Sequence, residues 1–241
     1  LVHGVPYLKP SLFSLHYNSE NASLMPALIN TVIMTLLSLL LAVPIGIFSA
    51  IFLAEYAGKG NKFVDIIRLT TETLSGIPSI VYGLFGMLFF VSTCHWGFSL
   101  LAGAFTLAIM ILPLIMRTTE EALLSVPDSY REGSFGLGAG KLRTVFYIVL
   151  PSAVPGILAG VILAIGRIVG ETAALIYTAG SVAQVPSSVL GSGRTLAVHM
   201  YLLASEGLYM DQAYATAVIL LVLVVVINTV SGIVAKRLTK A

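Results

Sequence analysis

Residues Ile157 to Thr178 read ILAGVILAIGRIVGETAALIYT, 22 residues in which Arg167 and Glu171 are the only charges. A run of about 20 apolar residues is what a helix needs to cross a hydrocarbon core of about 30 Å. Both charges fall near the middle of the run, where lipid would surround an ordinary span. A charge at that depth costs about 2.5–3.5 kcal/mol even on the lenient insertion scale, so it faces a bundle interior or a water-filled path. The stretch therefore predicts a membrane helix and marks Arg167 and Glu171 as candidates for a solute path.

The composition agrees. Of 241 residues, 57% are hydrophobic and 10% charged, with a mean hydropathy of +0.97. A soluble domain is about 25% charged, so the chain reads as membrane-embedded. A net charge of +2 with no basic tract gives no reason to expect a nucleic-acid partner. Cys94 is the only cysteine, which excludes an internal disulfide and argues against a cysteine-based metal site. His3, His16, His95 and His199 are scattered without metal-ligand spacing and are expected in loops or interfaces. The H-E-x-x-H and G-x-S-x-G patterns and a paired aspartate are all missing, which argues against an intramembrane enzyme.

Five segments are long and apolar enough to span, near 26–54, 73–93, 98–116, 152–179 and 213–235. The expected fold is all-α, a polytopic membrane helical bundle, with an N-terminal segment at 1–25, a transmembrane domain at 26–235 and a tail at 236–241. Alternating spans place Lys59, Lys62, Arg68, Arg117, Arg131, Lys141, Arg143, Lys236, Arg237 and Lys240 on one side, ten of the 13 Lys and Arg. By the positive-inside rule that side is cytoplasmic, with the C-terminus. The N-terminal segment and the 180–211 loop, with Ser192, Arg194 and His199, are then external, and the loop is long enough to meet an external partner. An odd number of spans, an external start, Leu1 in first position and no signal peptide together suggest one more span upstream. Asn21-Ala22-Ser23 matches a glycosylation pattern of little weight.

On an ideal helix the small residues Gly156, Gly160, Ala164, Gly166, Gly170 and Ala174 share one broad face, and Arg167 and Glu171 lie on the same side. At i and i+4 the two charges can bridge each other, which would make them a structural lock between neighbouring helices. Arg167 can alternatively offer its planar guanidinium to an oxyanion, with Glu171 holding it in place and moderating its affinity. Thr70, Thr71, Thr73, Ser75 and Ser79 open the second span, where hydroxyls bond carbonyls within their own helix or line the path. Glu72 reads as an interface charge.

The stretch Arg117 to Ile148 is too polar to span. Glu120 to Leu124 reads as a short helix, Ser125-Val126-Pro127 as a cap and first turn, and Tyr130 to Phe135 as a second short helix closed by Gly136, Gly138 and Gly140. Glu132-Gly133-Ser134, three residues, Gly138, nine residues and Ile148-Val149-Leu150-Pro151 together resemble the EAA loop of ABC-importer permeases, with Gly133 and Ser134 in place of two alanines. That resemblance implies a coupling loop docked on a cytoplasmic ATPase, with Glu132 as a charged contact, Gly138 as the bend, and Phe135 and Leu137 as apolar anchors. Gly136 to Lys141 superficially looks like a phosphate-binding loop. Leu142 follows the lysine and Phe135 stands at the first glycine position, so no nucleotide site is expected here.

Gly166-Arg167-Ile168-Val169-Gly170-Glu171-Thr172-Ala173 resembles the G-R-x-x-G-E-T-A signature of phosphate-specific ABC permeases. Arg117-Thr118-Thr119-Glu120-Glu121-Ala122-Leu123, Val126-Pro127 and Leu74 to Gly83 resemble the same family, and Thr178-Ala179-Gly180 sides with its PstA type. The resemblance implies a type I ABC importer permease of six spans, five of them visible here. It also implies transport of inorganic phosphate, or of another oxyanion such as sulfate, molybdate or phosphonate, across a bacterial-type cytoplasmic membrane. Arg167, Glu171 and Thr172 are the candidate path residues. The implied partners are a sister permease, an ATPase dimer that binds ATP and Mg and does the hydrolysis, and an external phosphate-binding protein. The chain itself would hold no cofactor.

Overall fold

The computed structural model describes residues 5–15, 17, 18, 22–57, 62–207 and 209–240. His3, His16, Asn21 and Lys59, and the side chains of Lys236, Arg237 and Lys240, lie outside what is described. Two short turns, Val5–Tyr7 and Pro10–Phe13, lead into ten α-helices in the described residues, with no strand among them. These are α1 Met25–Ile51, α2 Lys62–Ser75, α3 Ser79–Gly86, α4 Leu100–Leu124, α5 Asp128–Gly136, α6 Lys141–Thr144, α7 Leu150–Val169, α8 Ala173–Ile176, α9 Leu196–Glu206 and α10 Met210–Lys240. Three helical runs widen into π turns, at Phe52–Tyr56 after α1, Met87–Thr93 after α3 and Val145–Val149 between α6 and α7.

Four continuous helices are long and apolar enough to cross a membrane: Met25–Tyr56, Leu100–Leu124, Lys141–Val169 and Met210–Ile233. A bent pair, Lys62–Ser75 with Ser79–Thr93, makes up to five. Two predicted spans are corrected. The segment expected at 73–93 is broken at Gly76-Ile77-Pro78, because proline has no N–H to donate and pushes the residue before it out of the helical region. The segment expected at 152–179 begins at Lys141 and stops at Val169. Pro155 is accommodated inside it, whereas Thr172, at φ −122° and ψ −54°, leaves helical geometry and starts α8. The short helix expected at Glu120–Leu124 is the end of α4.

Thr70, Thr71, Thr73 and Ser75 belong to α2, and their hydroxyls donate to the Ile66, Ile67, Leu69 and Glu72 carbonyls. In α1, Thr31, Thr35 and Ser38 do the same at 2.7, 2.7 and 2.8 Å. A helix with its own polar groups satisfied in this way can enter lipid without unpaired donors.

The chain divides into two compact units. The first comprises Leu1–Leu41, Ile77–Met110 and Ile165–Ile227. Its core includes Leu12, Leu24, Ala27, Leu196 and Ala215. The backbones of α3 and α8 meet directly: a Cβ on Gly83 would stand 2.8 Å from the Ala174 Cα and 3.2 Å from the Ala173 carbonyl oxygen. Gly86 likewise leaves room for the Thr178 methyl, and Gly103 for Leu175 and Ala179. The stretch before α9 is pinned to α1, where Asn30 Nδ2 donates to the Gln184 and Arg194 carbonyls at 2.8 and 3.2 Å. The Leu196 N–H donates to Thr31 Oγ1 at 2.8 Å, which satisfies a donor at the start of α9.

The second unit comprises Ala42–Gly76, Ile111–Ala164 and Asn228–Ala241. Its core gathers Ile51, Leu123, Val126, Val145, Val149, Ala153 and Ile157. Gly156 and Gly160 of α7 lie against Ala122 and Thr118 of α4, so this half of the predicted small-residue face does what small residues do between membrane helices. Gly166 meets nothing within 4 Å, and Gly170 lies beyond the helix end. Gly46 of α1 similarly admits Ile115.

Candidate functional site

The first candidate site lies in the first unit, where α7 ends. Arg167 sits in the last turn of α7 and is half-buried. Glu171 follows the helix end and is 8% exposed. The expected Arg167–Glu171 bridge does not form. Because the helix stops at Val169, the two side chains are no longer one turn apart, and the ion pairs among the described residues do not include them. The Glu171 carboxylate instead accepts the Ala174 N–H at 3.1 Å, a donor in the first turn of α8 that has no partner inside its own helix. Glu171 thus shapes the break after α7, and Arg167 has no carboxylate partner among the described residues.

The structure adds a residue that charge and span counting did not single out. Tyr82 of α3 is buried. Gly83, the next residue, lets α3 lie directly on Ala173 and Ala174. Gly83, the end of one family-like stretch, therefore meets Ala173, the end of the other, 90 residues later in the chain. The available signal was the Val81-Tyr82-Gly83 sequence itself. Thr172 lines a cavity of about 650 Å³ with Ile80, Ala173, Tyr177, Met200 and Tyr214. That lining is mostly apolar, so the ionic chemistry at this end of the unit rests with Arg167. Its guanidinium presents a planar set of donors suited to two oxygens of an oxyanion.

The second candidate site is the hairpin of the second unit. Pro127, at φ −57° and ψ 139°, caps the start of α5. Ser125 turns back to the Ala122 carbonyl at 2.7 Å, and so caps nothing ahead of it. The helix ends at Gly136, and Gly138 adopts φ +83°, a left-handed conformation that glycine takes without a Cβ clash. The Gly138 N–H donates to the Phe135 carbonyl at 2.9 Å and the Ala139 N–H to the Ser134 carbonyl at 3.1 Å, which closes the turn. Glu132, Phe135, Leu137 and Gly138 are all exposed on this hairpin, Leu137 by 91%. Exposed apolar side chains on a rigid turn are what an anchor for a partner requires. Ser134, Leu137, Gly138, Ala139, Arg143 and Tyr147 border an adjoining cavity of about 400 Å³.

Residues 42–241 match the family described as binding-protein-dependent transport system inner membrane component. The chain is 37% identical over 217 residues to the probable ABC transporter permease protein YqgI of Bacillus subtilis, covering 83% of this chain and 74% of that one. It is 35% identical over 232 residues to the phosphate transport system permease protein PstA of Pasteurella multocida, covering 95% and 82%. With the PstA of Haemophilus influenzae it shares 39% identity over 181 residues, 74% of this chain and 64% of the relative. In fold it is similar to a chain of the MetNI methionine ABC transporter in an inward-facing form, with a TM-score of 0.74 at 22% identity over 90% and 96% of the two chains. A bacterial alginate ABC transporter gives a TM-score of 0.74 at 17% identity, covering 99% of this chain and 88% of that one.

Proposed function

We infer inorganic phosphate as the cargo of this chain, which belongs to the binding-protein-dependent transport system inner membrane component family and is an ABC importer permease of the multi-pass inner-membrane type. The observation that carries the inference is the packing of Gly83 on Ala173 and Ala174, next to the Glu171-held break that follows Arg167, in a chain 35–39% identical to the two PstA relatives described above. The Arg167 guanidinium, with no carboxylate partner among the described residues, can bind an oxyanion and release it again, as a transport path needs. Glu171, held by the α8 backbone, keeps the segment after Arg167 in place and offers an acceptor that a protonated anion such as hydrogen phosphate can use.

In this reading the hairpin at 117–148 docks on a cytoplasmic ATPase through Glu132, Phe135 and Leu137, with Gly138 as the bend. The ATPase is a separate chain that binds ATP and Mg and performs the hydrolysis. The hairpin leads without interruption through Val145–Val149 into α7. A sister permease completes the path, an external phosphate-binding protein delivers the anion, and the C-terminus is cytoplasmic.

The test is radiolabelled phosphate uptake in cells carrying Arg167→Gln, with recovery of the ATPase on the purified chain as a check on assembly. The expected result is at least a tenfold loss of uptake with the ATPase still bound. Unchanged uptake would remove Arg167 from the path. Equal displacement of phosphate by sulfate in the wild type would replace phosphate with a broader oxyanion cargo.

A further inference from the structure

The first long helix does not end at Ile51 but winds on through Phe52–Tyr56 as a π turn, closed by the Ala57 N–H on the Phe52 carbonyl at 2.9 Å. Such turns recur at functional places in helices. This one carries two adjacent residues that each hold one arm of the hairpin. Glu55, with its side chain 8% exposed, accepts Arg131 Nη2 at 2.6 Å and Nε at 3.1 Å. The same guanidinium donates through Nη1 to the Val126 carbonyl at 2.7 Å and through Nη2 to the Leu123 carbonyl at 2.9 Å. A further contact joins Nη1 to the Asp128 carboxylate at 3.2 Å.

The Leu123 carbonyl is among the last acceptors of α4, which have no partner within the helix, and Val126 lies in the turn that follows it. Arg131 therefore ties three things together: α5, the end of α4, and the π turn that follows α1. On the other arm, Lys141 Nζ lies 5.1 Å from the centroid of the Tyr56 ring. Between the arms, the Ser134 and Thr144 hydroxyls share a buried hydrogen bond of 2.8 Å. Glu132, Phe135 and Leu137 project from the loop that these contacts hold.

We propose that Glu55 and Tyr56 are positioning residues that hold both arms of the hairpin in the one arrangement the ATPase can grip, with Arg131 as the shared tie. The proposal rests on the docking role given to the hairpin above. Arg131 and Glu55 are both largely shielded from water, so the pair differs from surface ion pairs, which contribute little. Removing either charge leaves the other buried and uncompensated. Lysine cannot replace the arginine, because a single ammonium cannot serve a carboxylate and two carbonyls in a fixed fork.

The experiment measures the affinity of the purified ATPase subunit for the full chain in lipid nanodiscs. Wild type is compared with Glu55→Gln, Glu55→Asp, Arg131→Lys and Tyr56→Leu, with monodispersity and hydrogen exchange across 128–136 followed in parallel. Expected are at least tenfold weaker ATPase binding in Glu55→Gln, Arg131→Lys and Tyr56→Leu, α5 amides still protected, and partial recovery in Glu55→Asp. Wild-type affinity in Arg131→Lys and Tyr56→Leu would overturn the proposal, even if Glu55→Gln failed to fold. Weakened binding that merely tracked loss of α5 protection, without recovery in Glu55→Asp, would also overturn it by showing a purely structural role. A wild-type chain that bound no ATPase would overturn the docking role itself, and this proposal with it.

Discussion

Arg167, Glu171 and Gly83 do three different jobs within one small region, and substitutions separate them. Glu171 acts as an acceptor for the Ala174 N–H as well as a charge. Glu171→Ala removes both and should destabilise the break after α7 by about 1.5–3 kcal/mol, the usual worth of a hydrogen bond to a charged group. Glu171→Gln keeps a carbonyl acceptor and should preserve thermal stability in detergent while lowering uptake. Gly83→Val should be more damaging, because its Cβ would meet backbone at 2.8 Å and backbone cannot step aside. Overpacking of this kind costs about 1–3 kcal/mol. Gly166→Ala, with nothing within 4 Å, is the matched control and should melt like wild type. His199 of α9 offers a pH test away from the spans. It is fully buried, and its pKa is pushed from 6.5 down to about 3, first by burial and then by the Arg194 charge. Above pH 6.5 the imidazole is neutral whether the chain is folded or not, and the site has its full stability. As the pH falls from 6.5 toward 3, the unfolded chain takes up a proton that the folded chain refuses, so stability is lost across that window. Thermal unfolding measured from pH 7 to pH 4 should show the loss, and His199→Leu should flatten it. The sequence alone suggested a loop or interface role for this histidine, because isolated residues carry no sign of what will cover them.

At the level of elements, the turn after α5 was legible in the sequence because its geometry is local. Pro127, Gly136 and Gly138 act on their own dihedral angles, and the turn falls where those residues place it, with Gly138 at φ +83°. Gly138→Ala should strain that turn by about 1–2 kcal/mol, the cost of a Cβ in the left-handed region, and should weaken ATPase recovery without unfolding the spans. Phe135→Ala and Leu137→Ala remove exposed side chains, so a pull-down should lose the ATPase at least tenfold while the melting temperature stays unchanged. The end of α7 was not legible in the same way. The apolar run continues past Val169 to Thr178, and periodicity cannot tell a continuous helix from one interrupted by three residues. What ends the helix is a tertiary arrangement, α8 packed on Gly83 of α3, with Glu171 supplying the acceptor that a fresh helix start needs.

For the whole molecule, the composition and the apolar runs determined that the chain is an all-helical membrane protein. Transfer of an apolar segment into lipid depends on which residues are present over about 20 positions and hardly at all on their neighbours in space. The spacing from Glu132 to Pro151 determined the family in the same local manner, as the match over residues 42–241 bears out. Only the tertiary structure decided that Arg167 and Glu171 form no bridge, that Gly83 of α3 lies on Ala174, and that Glu55 takes hold of Arg131, 76 residues away. Each of those outcomes depends on where two backbones approach closely enough for side chains to meet. A glycine in the sequence permits such an approach, but the partner on the other side of it appears only when the helices are packed.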